Sequence, residues 1–433
     1  MSTRTDALVA AAFVAAIALP TVAAPSVVRI THDAAGAYHL QVDGRPFVIR
    51  GAGLQDGNHE ALRERGGNAF RTWRPGDDAD AMLDRAHRNG LHVALGLEVE
   101  SERHGFDFDD DAAVSREVDR IRDEALRYRD KPALLMWIVG NELNLDAKNP
   151  RVWDAVNRMA AAIHAVDPNH PVMTTLAGID PAVVAQVKAR APQLDLIGVQ
   201  LYADIAGLDA KIRQSGWTGP YVVTEWGPTG HWESPATPWG APIEDDSAGK
   251  ATLLRDRYLQ EIAPDDPQRL GSFVFLWGAK QERTPTWYGL FLDSGESTPA
   301  VDALQAAWTG RAPTNRAPLV ATLTIDGRVA SSGVVLAPGT SHAAHANVDE
   351  PDGDRTQARW YVLEESRATS TGGDPEARPT AIDIDAQPVD AGTARFVAPT
   401  HPGNYRLFLE VRDGRGHAGY ANTPFRVEAR TPD

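Results

Sequence analysis

The sequence predicts an α/β protein, a (β/α)8 barrel followed by a small all-β sandwich, and three observations carry that expectation. Short apolar runs alternate with amphipathic stretches of helical period across residues 25–311. Eight strand candidates fall in that span, and a closed (β/α)8 barrel takes about 250 residues. From residue 319 to 433 the helical period disappears, and short strands separated by Gly, Pro and Asp turns replace it.

In chain order, residues 1–24 come first. Arg4 precedes an unbroken apolar run over 7–19, and the small residues Thr21-Val22-Ala23-Ala24 follow. This is the pattern of a cleavable secretory signal, too short for a membrane span. Pro25 favours cleavage after Ala23 over cleavage after Ala24. The expected location is therefore periplasmic or secreted. Residues 38–47 read as a hairpin around Asp43-Gly44. The barrel strands are expected at 47–51, 68–73, 91–97, 134–141, 172–175, 194–202, 221–225 and 272–277. Between them, Val114, Val118, Ile121 and Ala125 mark one helical face, and Val152, Val156, Met159 and Ile163 mark another. Asn89-Gly90 stops one helix, and the turn cluster 167–171 leads into the fifth strand. A doubly wound open sheet needs a Gly-rich phosphate turn after its first strand, and Gly51-Ala52-Gly53-Leu54-Gln55 is a poor match. Residues 312–318 are a linker by composition, placing a catalytic domain at 25–311 and the sandwich at 319–433. Sandwich strands are expected at 319–325, 358–363, 405–411 and 424–427.

Composition narrows the partners. The 433-residue chain has a formal charge of −16, which argues against nucleic acid or an anionic membrane and fits a neutral ligand. It has no cysteine, so thiolate metal sites and cysteine nucleophiles are excluded. Neither a cofactor nor a protein partner is implied. Of the 11 tryptophans, only Trp360 lies beyond the barrel region.

In a barrel of this kind, reactive groups sit at the C-terminal ends of strands. Reading only those positions collects Arg71 and Trp73 after strand two, and Glu98 and Glu100 after strand three. Asn141 and Glu142 follow strand four, Tyr202 follows strand six, Glu225 and Trp226 follow strand seven, and Trp277 follows strand eight. Glu142 and Glu225 each end an apolar run. A carboxylate there is desolvated at a cost unless it is used, and two across one cleft are what glycoside hydrolysis requires. The like charge of Glu225 is expected to raise the pKa of Glu142.

Gly140-Asn141-Glu142 and Thr224-Glu225-Trp226-Gly227 resemble the strand-four and strand-seven motifs of glycoside hydrolase clan A, particularly the family-two barrel domain and its family-five relatives. Gly67-Asn68-Ala69-Phe70-Arg71 and Gly198-Val199-Gln200-Leu201-Tyr202 resemble that clan's strand-two and strand-six motifs. The likeness runs over residues 28 to 310. It implies a retaining β-glycosidase with Glu142 as acid/base and Glu225 as nucleophile. By the same resemblance, Asn141 would bind the sugar 2-hydroxyl, Arg71 and Tyr202 would hold Glu225, and Trp277 would form the floor under the reacting ring. One departure is that strand three ends in Glu98-Val99-Glu100, where many family-five members have histidines. The segments 348–354 with Arg359-Trp360-Tyr361, and 402–405 with 411–414, resemble PKD-like and immunoglobulin-like modules. Their acidic turn could hold calcium, although Asp-rich turns form equally without metal.

Three further tryptophans, Trp232, Trp239 and Trp287, lie in loops after strands seven and eight among acids and amides, the setting that binds sugar rings. They are expected to form outer subsites. His104, Asp107, Asp109 and Asp110 lack a fixed metal-ligand spacing, so no metal is assigned. The expected substrate is a β-glucan or its oligosaccharides, cleaved with retention. A transglycosylase would use the same residues with a sugar as acceptor. A non-catalytic carbohydrate-binding protein is the reading from another class.

Overall fold

The computed structural model describes residues 24–429 apart from 56, 370–372 and 383, so the expected signal segment lies outside the described residues except for Ala24. Each of the eight strands expected in the barrel region forms. These are β1 (Ile49–Gly53), β2 (Ala69–Arg71), β3 (His92–Leu97), β4 (Leu134–Val139), β5 (Val172–Ala177), β6 (Leu196–Gln200), β7 (Tyr221–Trp226) and β8 (Arg269–Val274). Every pairing is parallel, and β8 pairs with β1 to close the barrel. Helices α1 (His59–Glu64), α2 (Ala79–Arg88), α3 (Asp111–Tyr128), α4 (Arg151–Val166), α5 (Pro181–Arg190), α6 (Leu208–Ser215), α7 (Ser247–Arg257) and α8 (Pro299–Thr309) follow the strands in turn.

The strands read as unbroken apolar runs because both their faces are buried. In β4, Met136 and Ile138 pack inside the barrel with Ala69, Ala94, Met173 and Val222. Trp137 and Val139 pack outward against the helical layer that includes Ile121 and Val156. Local chemistry starts the helices. The Asp110 carboxylate accepts from the amides of Ala112 and Ala113, and Asp180 does the same for α5, whose first residue is Pro181. The acids after β3 that offered a metal reading are thus occupied. Asp110 is a cap, Asp109 pairs with Arg151, and Asp107 accepts from the Asp109 amide.

The N-terminal strands Val28–His32 and Tyr38–Val42 pair antiparallel and send Val28, Leu40 and Val42 into the barrel floor. A buried polar chain anchors them. Ser26 Oγ donates to the Leu134 carbonyl and lies 3.0 Å from His170 Nε2, whose Nδ1 is 2.8 Å from Asp167. Asp167 also accepts from the Trp137 indole at 2.8 Å. This looks like a nucleophile triad, but all three members are almost sealed from solvent. It is a satisfied structural network.

Beyond residue 318 lie two sheets. One has four strands, Leu319–Ile325, Ser341–Asp349, Thr393–Val397 and Gln387–Pro388 in spatial order. The other runs Val335–Leu336, Ala418–Val427, Gly403–Arg412, Gln357–Glu364 and Ala381–Ile382. Val320, Ala344, Phe396, Leu407, Leu409 and Phe425 fill the space between them. The five-strand sheet is covered on its other face too, because the barrel packs there. Lys250 of α7 donates to Glu244 at 2.6 Å, to the carbonyls of Thr286 and Trp287 at 2.8 Å, and to Tyr420 of the sandwich at 3.2 Å. Asn422 donates to Glu244 at 2.7 Å, and Arg406 donates to the Pro242 carbonyl at 2.6 Å.

The linker is fastened on both sides. The Ala317 amide donates to Asp302, Asn315 donates to Asp413, and Arg316 binds Asp352 of the acidic turn. In that turn, Glu350 accepts from the amides of Asp352 and Asp354, and Arg415 pairs with Asp354. Among the described residues no group of three or more His, Asp or Glu is arranged to hold a metal.

Candidate active site

The chain leaves β4 through a turn that only certain residues permit. Gly140 has φ of 70°, and a Cβ there would come within 2.6 Å of the Leu143 side chain. Glu142 follows with φ of 50°, a left-handed conformation that costs a non-glycine residue about 1 kcal/mol. Its amide donates to Thr175 Oγ1 at the end of β5. Asn141 is held harder. Its Oδ1 accepts from Arg71 at 2.8 Å, from Gln200 at 2.9 Å and from Thr175 at 3.2 Å. That leaves its NH2 for whatever occupies the cavity.

Glu225 owes its direction to an irregularity in β7. Val222 faces the barrel interior, while Tyr221 and Val223 face the helices. Strict alternation would point Glu225 at the helices and Trp226 inward. The ladder slips after Val223 against both β6 and β8, and the order reverses. Glu225 then opens into the mouth of the barrel, and Trp226 is fully buried beside Tyr258.

Three donors grip the Glu225 carboxyl. Arg71 Nη1 reaches Oε1 at 3.2 Å, Trp73 Nε1 reaches Oε1 at 3.0 Å, and the Tyr202 hydroxyl reaches Oε2 at 2.9 Å. Arg71 is wholly buried, with its guanidinium 4.8 Å from the centre of the Trp73 ring. Burial raises the Tyr202 pKa well above its ordinary value, so its phenol stays a donor. Glu233 holds the neighbouring loops together by accepting from the amides of Ala203, Asp204 and Gly230.

Glu142 is held differently. It is half-buried, and no described residue donates a hydrogen bond to its carboxyl. Its pKa is pushed up to about 8, first by burial and second by the charge of Glu225, with Arg71 and Arg103 pulling the other way. Like-charge repulsion alone was the expected cause, and desolvation is the larger one.

Both carboxyls line one cavity of about 400 Å³, at the small end of the roughly 300–1,000 Å³ of ligand pockets. Trp73, Asn141, Tyr202 and Trp232 line it with them, and Arg71 stands directly behind. Trp232 is 60% exposed and meets the Tyr202 ring edge-on at 5.4 Å.

Four tryptophans expected around the sugar lie elsewhere. Trp226 is in the helical layer, as above. Trp277 is 1% exposed, donates to the Asn58 carbonyl and stacks on Trp308 at 6.3 Å. The strand before it ends at Val274, so Phe275 and Leu276 reach the cavity and Trp277 turns outward. Trp287 is also 1% exposed and donates to the Thr229 carbonyl behind the cavity wall. Trp239 is half-buried beside Gly333 of the sandwich.

The sequence reading missed Gln55, Thr175, Gln200, Phe275 and Leu276. Thr175 and Gln200 sit at strand ends and were open to the same rule that found Asn141. Gly373, from the sandwich, carried no local signal at all.

No protein-family model and no curated protein matches the chain. Solved structures do. The β-D-glucuronidase of Dictyoglomus thermophilum has a TM-score of 0.52 at 16% identity, over 66% of this chain and 54% of its own. The β-glucuronidase of Bacteroides uniformis has 0.50 at 15%, over 93% and 48%. The GH2 β-galacturonidase of Eisenbergiella tayi, bound to galacturonate, has 0.51 at 14%, over 66% and 54%. The likeness is one of fold, and this chain spans about half the length of those proteins.

Proposed function

We propose that this chain is a retaining β-glycoside hydrolase of clan A that acts on a β-glucan or its oligosaccharides. One observation carries the reading: two carboxyls line a single cavity, one gripped by three donors and the other without a donor among the described residues, its pKa pushed up to about 8 by burial and by its neighbour's charge. That asymmetry matches the two roles of double displacement. Glu225 attacks the anomeric carbon while Glu142 gives its proton to the leaving oxygen. Water, deprotonated by Glu142, then breaks the glycosyl–enzyme bond and restores both groups. The free NH2 of Asn141 suits the sugar 2-hydroxyl, and Trp73 and Trp232 offer ring faces for stacking.

The pairing of the cavity's cations supports a neutral sugar. With Glu142 protonated, Glu98, Glu225 and Glu282 line it against Arg74 and Lys280, and Lys280 is already paired with Glu282 at 2.5 Å and Arg71 behind it with Glu225 at 3.2 Å. The solved structures of similar fold include glucuronidases and a galacturonidase, so uronides belong in the test. Secretion remains part of the proposal through the 1–24 signal pattern.

The test compares wild type with Glu225→Gln on β-1,2-, β-1,3-, β-1,4- and β-1,6-glucans, mannan, galactan and aryl β-glucuronide and β-galacturonide. Wild type should release sugar from one glucan class with retention of anomeric configuration. The variant should lose on the order of 10³-fold or more in kcat. Equal release by both proteins would remove Glu225 from the chemistry. Products longer than the substrate at high concentration would instead identify a transglycosylase.

A further inference from the structure

The second domain reaches into the cavity of the first. Gly373, in the connection between the sandwich strands Gln357–Glu364 and Ala381–Ile382, is one of the cavity's lining residues. Its carbonyl accepts from Lys280 Nζ at 2.9 Å, and a Cβ on Gly373 would come within 2.9 Å of that nitrogen. The next residue, Asp374, pairs with Arg103 at 3.0 Å and with His104 at 3.3 Å. Glu376 accepts from the Arg283 amide at 2.9 Å and from Gln281 at 3.2 Å. Arg283 in turn donates to the Ala368 carbonyl, and Ser366 donates to Glu376.

These contacts fall on two separate places of the barrel mouth. Arg103 and His104 belong to the turn after β3, whereas Lys280, Gln281 and Arg283 belong to the loop after β8. In barrel order β1 and β2 lie between those strands, and their own loops supply Gln55, Trp73 and Arg74 to the same cavity. The sandwich segment therefore bridges the mouth beside both carboxyls. On the far side Trp232 and Tyr202 stand up from the β7 and β6 loops.

A groove that accepts the middle of a polysaccharide must be open at both ends, whereas a cavity walled on one side takes only a chain terminus. We infer that Gly373, Asp374 and Glu376 of the sandwich form an end wall of the substrate cavity, and that the protein acts on chain ends of its glycan. The inference rests on the glycosidase reading above and deepens it. The sandwich is then a part of the specificity site. Asp374 and Glu376 are positioning residues: they hold the wall and touch no reacting atom. Lys280, held between Glu282 and the Gly373 carbonyl, couples the wall to the cavity floor.

The test uses the full chain with the substrate class identified by the Glu225→Gln comparison. Wild type should release products of one short length from the first minutes, with little loss of polymer viscosity. It should also fail on oligosaccharides whose reactive terminus is chemically blocked. The double variant Asp374→Ala/Glu376→Ala, checked by thermal melting to be folded, should show about tenfold higher KM on short oligosaccharides, one good contact's worth. Its products should also spread in length. A rapid viscosity drop with mixed products from wild type overturns the inference while leaving the glycosidase reading standing. So does a folded double variant with unchanged KM and product lengths. Because Asp374 and Glu376 lie outside the reacting carboxyls, loss of all cleavage in Glu225→Gln and retention of it in the double variant keep the two readings separate.

Discussion

Replacing Glu142 by Gln isolates the most unusual electrostatic feature of the molecule. The native state holds a proton on Glu142 up to about pH 8, whereas the unfolded chain releases it near the ordinary 4.5. Between those values the folded protein binds more protons than the unfolded one, so this group lowers stability as pH rises. The proton is held over 8 − 4.5, about 3.5 pH units. At about 1.4 kcal/mol per unit, the ceiling on the cost at pH 8 is about 5 kcal/mol. Gln is neutral at every pH and keeps the shape of the protonated acid. Below about pH 4.5 the variant and wild type should be equally stable. Across pH 4.5 to 8 a gap should open in favour of the variant, reaching a few kcal/mol and then levelling. Urea unfolding of both proteins at half-unit pH steps measures it, and only the difference counts, because titrating groups not coupled to Glu142 cancel. The same variant should lose cleavage of substrates with poor leaving groups and keep the first step on aryl glycosides that leave unaided. A gap that stays flat from pH 5 to 9 would refute the argument, since Glu142 would then hold no proton for the leaving oxygen.

Arg71→Lys removes the fork that spans Glu225 and Asn141. A point charge cannot serve both, so kcat/KM should fall about a hundredfold, roughly 3 kcal/mol, with KM little changed. Wild-type activity should decline on the alkaline side near pH 8, as Glu142 loses the proton it must donate, and kcat/KM against pH shows this directly. Trp277→Ala should cost about 3–5 kcal/mol of stability as a core truncation, whereas the exposed Trp232→Ala should leave melting nearly unchanged and raise KM. Lys250→Ala strands Glu244 between the domains without its cation. A loss of about 3–5 kcal/mol is expected in chemical denaturation.

The barrel was legible because its determinants are local. A strand buried on both faces must be apolar throughout, a helix on its surface must be apolar on one face, and the two periods alternate along the chain. The strand-end rule worked for the same reason and led to Glu142, Glu225, Arg71, Asn141, Tyr202 and Trp73, which the structure gathers around one cavity. It failed for Trp226 and Trp277, since facing depends on parity. One slipped residue in β7 and an earlier end to β8 turned each indole toward the helices. Trp239 and Trp287 were read from the company they keep in sequence, and packing put one beside the sandwich and the other behind the wall.

By itself, then, the sequence determined the barrel, the all-β structure that follows it and the pair of glutamates at the strand ends. Each of these depends on residues within one element, where hydrophobic period and turn chemistry act over a few neighbours. The tertiary structure decided which aromatics line the cavity, how the two carboxyls differ, and that Gly373 of the second domain lines the cavity of the first. Those outcomes depend on burial and on contacts between residues of different elements, as Lys280 with Gly373 shows across 93 positions. No local pattern encodes such a contact; it exists only once both domains have packed.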